Sequence, residues 1–72
     1  DLLEEVDSDQ EMVINMLKEN EGRMLQKDIV DKSDYSKAKI SGVVKELEEK
    51  DIISKEKEGR SNKVVLKDKF NS

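Results

Sequence analysis

The 72-residue chain contains no cysteine and no histidine. Without cysteine there is neither a disulfide framework nor a thiolate metal site. Without histidine the commonest general base is missing, along with the Ser-His and Cys-His nucleophile pairs and nearly every zinc site. Gly22, Gly42 and Gly59 are too scattered to form a phosphate-cradling loop. These gaps argue against an enzyme and against any bound cofactor or metal. Apolar runs such as Met12-Val13-Ile14 stop at three residues, whereas a membrane span needs about 20. No signal-peptide pattern is present. The chain therefore reads as a soluble, cytoplasmic domain, and because it opens on Asp1 it is expected to be a fragment of something longer.

What the chain does have is charge, with 44% of residues charged and a net charge of −4. Leu, Ile, Val and Phe make up 19 of 72 residues, above the roughly 20% below which a charged chain stays disordered. One small core is within reach and a second domain is not. The overall sign argues against a generic nucleic-acid binder, which is usually basic. Division of the chain reverses that reading. Residues 1–34 carry 4 basic and 11 acidic side chains, a balance of −7, and residues 35–72 carry 10 and 7, a balance of +3. Such asymmetry hints at an electrostatic partner for one half.

Residues 1–7 lack a capping signal and read as a linker or the end of an upstream helix, with the domain at 8–72. Ser8 and Glu11 form an S-x-x-E capping box for a helix over Asp9 to Asn20. Asp7, Asp9 and Glu11 mimic the start of a calcium loop, but its glycine and distal glutamate are missing, so capping is the better reading. Asn20-Glu21-Gly22 ends the helix, with Asn or Gly suited to the left-handed cap. Arg23-Met24-Leu25 reads as a short extended strand, Gln26 to Asp31 as a short helix, and Ser33-Asp34 as a turn. Ser36 then caps the strongest helical pattern, in which Ile40, Val43, Val44 and Leu47 fall at i, i+3, i+4 and i+7. Residues 52–57 and 63–67 read as two strands joined by the five-residue turn 58–62. Met12, Met16 and Met24 read as core filler, and Phe70 as an anchor for the tail.

The fold class that follows is α+β, three helices and a two-stranded hairpin with a short strand at 23–25, the order of a winged helix-turn-helix. The stretch from Met24 to Leu66 also resembles the winged-helix domains of MarR-like and related archaeal transcription regulators. The matching segments are Leu25-Gln26-Lys27-Asp28-Ile29, Tyr35-Ser36-Lys37-Ala38-Lys39-Ile40-Ser41, and Leu47-Glu48-Glu49-Lys50 followed by Asp51-Ile52-Ile53. Two positions depart from that pattern. Asp51, which can adopt the left-handed conformation at some cost, stands where a glycine usually follows the recognition helix, and Gly42 where that helix often carries arginine.

The resemblance implies sequence-specific binding of double-stranded DNA by a transcription regulator, with residues 36–50 in the major groove and the wing, residues 57–63, on the minor groove or backbone. Helix geometry agrees on the face. Opposite the apolar stripe lie Ala38, Ser41, Gly42, Lys45 and Glu49, with Lys37 on the flank. Small residues allow close approach to base edges, and Lys37 and Lys45 reach phosphates. Ser36 is a cap that could also meet a phosphate. Lys39 lies on the other flank with Glu46 and Lys50, where backbone contact and solvent compete. Tyr35 reads as packing beneath the turn. In the wing, Lys57, Arg60, Ser61, Asn62 and Lys63 surround Gly59, and an arginine at a turn tip suits a narrow minor groove. The alternative function is a protein-interaction domain that uses the acidic half. The resemblance further implies a homodimer formed through regions outside these residues, and in some archaeal relatives an upstream membrane tether.

Overall fold

A computed structural model describes residues 6–70. Helix α1 (Ser8–Glu19) leads into β1 (Arg23–Leu25), α2 (Gln26–Ser33), α3 (Lys37–Glu49), β2 (Ile53–Glu58) and β3 (Ser61–Leu66), and a 3-10 turn over Asp68–Phe70 follows. The strands form an antiparallel sheet in the order β1-β3-β2. Met24 pairs with Val64, and Ile53 with Leu66. Strand alternation sends these four side chains to the same sheet face, where they are buried against Val13, Ile14 and Leu17 of α1, Ile29 of α2 and the Ile40, Val43, Val44, Leu47 stripe of α3. Loss of one large side chain from so small a core costs about 2–5 kcal/mol, a large share of the stability of a small domain. The result is an α+β fold compatible with the expected winged helix-turn-helix.

The short strand at 23–25 is present and forms the third strand of the sheet. The hairpin connection is shorter than expected. Lys57 pairs with Asn62 and Glu58 with Ser61, so only Gly59 and Arg60 remain in the turn. Gly59 has φ +61°, which the first central position of a II′ hairpin turn requires. Helix α2 runs on to Ser33, whose hydroxyl donates to the Val30 carbonyl and accepts from the Tyr35 N–H, each at 3.2 Å. Among the methionines, Met24 is buried and Met12 and Met16 pack against the core, as do Phe70 and Tyr35.

Three residues other than glycine, Glu21, Asp34 and Asp51, end helices in the left-handed region, with φ between 61° and 63°. Each costs about 1–2 kcal/mol of local strain relative to the right-handed conformation. After α3 the cap is a complete Schellman motif: Asp51 N–H donates to the Glu48 carbonyl and Ile52 N–H to that of Leu47, both at 3.0 Å. Ile52 and Leu47 are both buried. Aspartate thus fulfils the role expected of it at position 51. After α1 the C-cap is Asn20, at φ −116° and ψ 34° and so not left-handed; the left-handed residue is Glu21 rather than the expected asparagine, followed by Gly22 at φ +86°.

The start of α1 corrects the capping assignment. The N-cap is Asp7, not Ser8. Asp7 Oδ1 accepts from Gln10 N–H at 2.8 Å and Gln10 Oε1 accepts from Asp7 N–H at 3.3 Å. Gln10, the one buried polar residue among those described, also donates through Nε2 to Glu46 Oε1 at 2.8 Å and accepts from Lys50 Nζ at 2.9 Å. Val6 packs against the core, and the remainder of the expected linker, residues 1–5, lies outside the described residues. One residue along, Asp9 takes a hydrogen bond from the Tyr35 hydroxyl and an ion pair from Lys39 Nζ, both at 2.8 Å. Lys39 and the Tyr35 hydroxyl hold the Asp9 carboxyl below its ordinary value of 3.8, and Asp9 raises both Lys39 and Tyr35 above theirs. No helix among the described residues is long and apolar enough to cross a membrane.

Two outcomes follow from these contacts. Gln10→Ala removes the side-chain half of the reciprocal cap and both ties to α3, and is expected to lower stability by about 1–3 kcal/mol, read as a fall of roughly 4–8 °C in thermal midpoint per kcal/mol. Asp9→Asn is expected to destabilise at neutral pH. Because the folded carboxyl titrates below 3.8, the stabilisation it brings is complete above that value and disappears as pH falls through the depressed folded pKa. Melts of both proteins at neutral and strongly acidic pH should converge only at the acidic end.

Candidate functional site

Helix α3 carries its charges against its own dipole. Its first turn has no acid and begins Lys37-Ala38-Lys39, and its last turn has no base and ends Glu46-Leu47-Glu48-Glu49. Cations at a helix N-terminus add to the positive pole and are unfavourable by about 0.3–1 kcal/mol each. At the C-terminal end two of the three acids have partners: Glu46 accepts from Gln10, and Glu48 lies 3.9 Å from Lys55. At the N-terminal end Lys39 is neutralised by Asp9. Lys37 has no ion pair among the described residues.

The ion pairs sort the remaining cations. Arg23, Lys39, Lys55, Lys63, Lys67 and Lys69 each sit within 4 Å of a carboxylate. Lys50 is held by Gln10 Oε1, and seven further cations among the described residues have no ion pair. Lys18 and Lys32 lie in the last turns of α1 and α2, where positive charge complements the helix dipole. The other five, Lys27, Lys37, Lys45, Lys57 and Arg60, lie at the start of α2, on the outer side of α3 and on the hairpin. Lys37 and Arg60 meet at a groove of about 650 Å³ that also takes in Lys27, Ser61 and Asn62, with Asp31 and Glu58 as its two acids.

Between these cations the surface of α3 is low. Ala38, Ser41, Gly42 and Lys45 are all exposed on the side opposite the buried stripe. Gly42 is helical, and a Cβ placed on it meets nothing within 4 Å. Glycine at such a position costs about 0.8–1 kcal/mol relative to alanine, and no packing within the domain accounts for it. Ser36 is the N-cap of α3, its hydroxyl accepting from Lys39 N–H at 3.0 Å.

Two groups of expected site residues are not brought together. Lys39 points to α1, where Asp9 holds it, and so stands apart from Ala38, Ser41 and Gly42. In the hairpin, alternation puts Lys57 and its pairing partner Asn62 on the core-side face and Ser61 and Lys63 on the other, where Lys63 meets Glu56 at 3.6 Å. Arg60, in the turn itself, belongs to neither ladder.

Two residues of the site were not expected from the sequence, Gln26 and Lys27. Lys27 stands in the first turn of α2, where a cation opposes the dipole, and that misplacement is the signal that could have found it. Gln26, the first residue of α2, donates through Nε2 to Ser41 Oγ at 3.0 Å. Its Oε1 is buried without a hydrogen-bond partner, at a cost of about 1–3 kcal/mol. No group of three or more acids among the described residues is arranged to hold a metal ion. Asp7 and Asp9, which resembled a calcium loop, are engaged in the cap and in the Lys39 pair.

Comparison with known proteins adds a family. Residues 6–67 match a family described as a domain of unknown function, DUF7343. The chain is also 43% identical over 58 residues to an uncharacterized protein of the archaeon Methanocaldococcus jannaschii, MJ1254, a match that covers 81% of this chain and 12% of that protein. No solved structure matches significantly. With all but a few terminal residues of the fold inside the match, the chain belongs to the DUF7343 domain family.

Proposed function

We propose that this domain binds double-stranded DNA as the reading module of a transcription regulator of the winged-helix, MarR-like kind. The observation that carries the reading is the placement of unpaired cations beside the low outer face of α3, with Lys45 on that face and Lys27, Lys37 and Arg60 lining one groove next to it. A duplex brings phosphates on both sides of a groove, so a reader needs cations flanking a surface low enough for backbone and short side chains to approach base edges. Lys37 and Lys45 would take phosphates beside α3, and Arg60 would reach the backbone or minor groove from the hairpin turn. Ala38, Ser41 and Gly42 would lie against the bases. Lys57, Ser61 and Asn62 serve as secondary backbone contacts. Lys39 and Lys63 contribute through their ion pairs to the shape of the site.

The net charge of −4 does not oppose this reading, because phosphate attraction acts over about a Debye length, about 8 Å at physiological ionic strength. The alternative, an acidic surface that docks a basic protein, is weakened by the engagement of Asp7 and Asp9 in internal contacts. No cofactor and no catalytic role is proposed. The homodimer implied by the family resemblance would fall to segments outside residues 6–70, since long flanking helices are absent from the described elements.

Two experiments separate fold from function. In the first, amide NMR titration with a generic duplex at low and moderate salt should shift residues 37–45 and the hairpin turn, with affinity falling as salt rises. The double variant Lys45→Glu, Arg60→Glu should retain its fold and lose at least about tenfold in affinity at low salt; unchanged affinity would refute the proposed face. In the second, Gly42→Ala should raise stability by about 1 kcal/mol, and Gly42→Leu should melt no lower than the parent yet bind duplex more weakly, because its side chain projects where the bases would sit. Equal binding by Gly42→Leu would argue that nothing closes on this face.

A further inference from the structure

We propose that the groove between α2, the start of α3 and the hairpin turn is a site for a small phosphate monoester that carries hydroxyl groups, and that this molecule competes with duplex for the same cations. The competition rests on the DNA-binding reading above. Three cations reach the groove from three separate elements: Lys27 from α2, Lys37 from α3 and Arg60 from the turn. Among the described residues none of the three has an ion pair. Helix α2 also begins here without a cap, since Leu25 stands at its N-cap and supplies no side-chain hydrogen bond, and Leu25, Gln26 and Lys27 all line the groove. The first N–H groups of a helix have no acceptor within it. Ammonium, guanidinium and free amide donors together form the set that recognises phosphate oxygens.

The size of the groove and its two acids narrow the class of ligand. Its volume of about 650 Å³ is that of a small-molecule site and exceeds what a lone phosphate fills. Asp31 and Glu58 line it as well, and among the described residues neither lies within 4 Å of a cation. An ionised carboxylate accepts hydrogen bonds and cannot donate one. These two acids therefore oppose a bare anion and suit a ligand that brings hydroxyl hydrogens beside its phosphate. The DNA backbone lacks the 2′-hydroxyl of RNA, so its phosphates engage the cations and leave both acids unanswered. A phosphorylated polyol or sugar answers both sets at once, and it occupies Lys37 and Arg60, on which the duplex also depends.

The test is an amide NMR titration of the chain with glycerol 3-phosphate and with methyl phosphate at constant ionic strength, two monoesters of equal charge of which the second has no free hydroxyl. Glycerol 3-phosphate should shift residues 25–31, 37 and 58–62 and bind about fivefold more tightly than methyl phosphate. Lys27→Ala should weaken both esters at least about fivefold and melt no lower than the parent, because the lost cation opposed the helix dipole. The double variant Asp31→Ala, Glu58→Ala should bring the ratio of the two esters close to one without weakening methyl phosphate. Equal affinity for the two esters, a preference that survives the double variant, or no shifts in the groove overturns the proposal. Glycerol 3-phosphate should also displace bound duplex, and more effectively than methyl phosphate at the same concentration. Duplex that stays bound overturns the competition and leaves the DNA reading intact. No duplex binding at any salt overturns the DNA reading and the competition, and the ester titration still decides the site.

Discussion

The clamp between the first turn of α1 and one side of α3 is the constraint on which the rest depends. Gln10 is buried at the point where the two helices meet, and its amide is shared between the cap of its own helix and Glu46 and Lys50 of α3. One residue earlier in the chain Asp9 reaches the opposite end of α3 through Lys39 and through Tyr35 in the preceding turn. Lys39, Glu46 and Lys50 lie seven and four residues apart, so they follow one side of the helix. With hydrophobic burial fixing the inner stripe and these polar contacts fixing that side, α3 has a single rotation about its axis. The outer side, with Ala38, Ser41, Gly42 and Lys45, is what remains to meet a partner.

Most of the architecture was legible because it depends on local periodicity and on turn chemistry. The Ile40, Val43, Val44, Leu47 stripe, the Ser36 cap, the strand at 23–25 and the left-handed Asp51 are all present. The errors arise where local signals tie and a distant contact decides. At the start of α1, Ser8 with Glu11 and Asp7 with Gln10 are equally good capping pairs one residue apart. The tie is broken by Glu46 and Lys50, which take up the Gln10 side chain and are 36 and 40 residues away. In the hairpin, Glu58, Ser61 and Asn62 all suit a loop, yet the strand ladder continues through them because a glycine at the first central position permits a two-residue turn.

The candidate site was legible to the same depth. Its position on α3 followed from geometry alone, since a stripe that is buried leaves the opposite face exposed. Which cations serve it did not. Lys37 and Lys39 look alike in the sequence, but Asp9, 30 residues upstream of Lys39, neutralises one and leaves the other. The contribution of α2 was hidden for a related reason: Gln26 matters through a hydrogen bond to Ser41 across two helices, and no spacing rule encodes that pairing.

The domain also shows several departures from what stability alone would favour, and they are unevenly distributed. The left-handed Glu21, Asp34 and Asp51 lie at helix ends, where chain reversal demands that conformation from whichever residue is present. Gly42 inside α3, Lys27 and Lys37 at the positive ends of α2 and α3, and the unpartnered Gln26 oxygen answer no such demand. All of them border the same outer surface of α3. Unfavourable terms that the fold does not require, gathered on one face, are expected of a surface kept for binding, because substitutions that stabilise a domain tend to be excluded only where they impair function. That clustering, more than the sign of the total charge, makes this face the most informative feature of the chain.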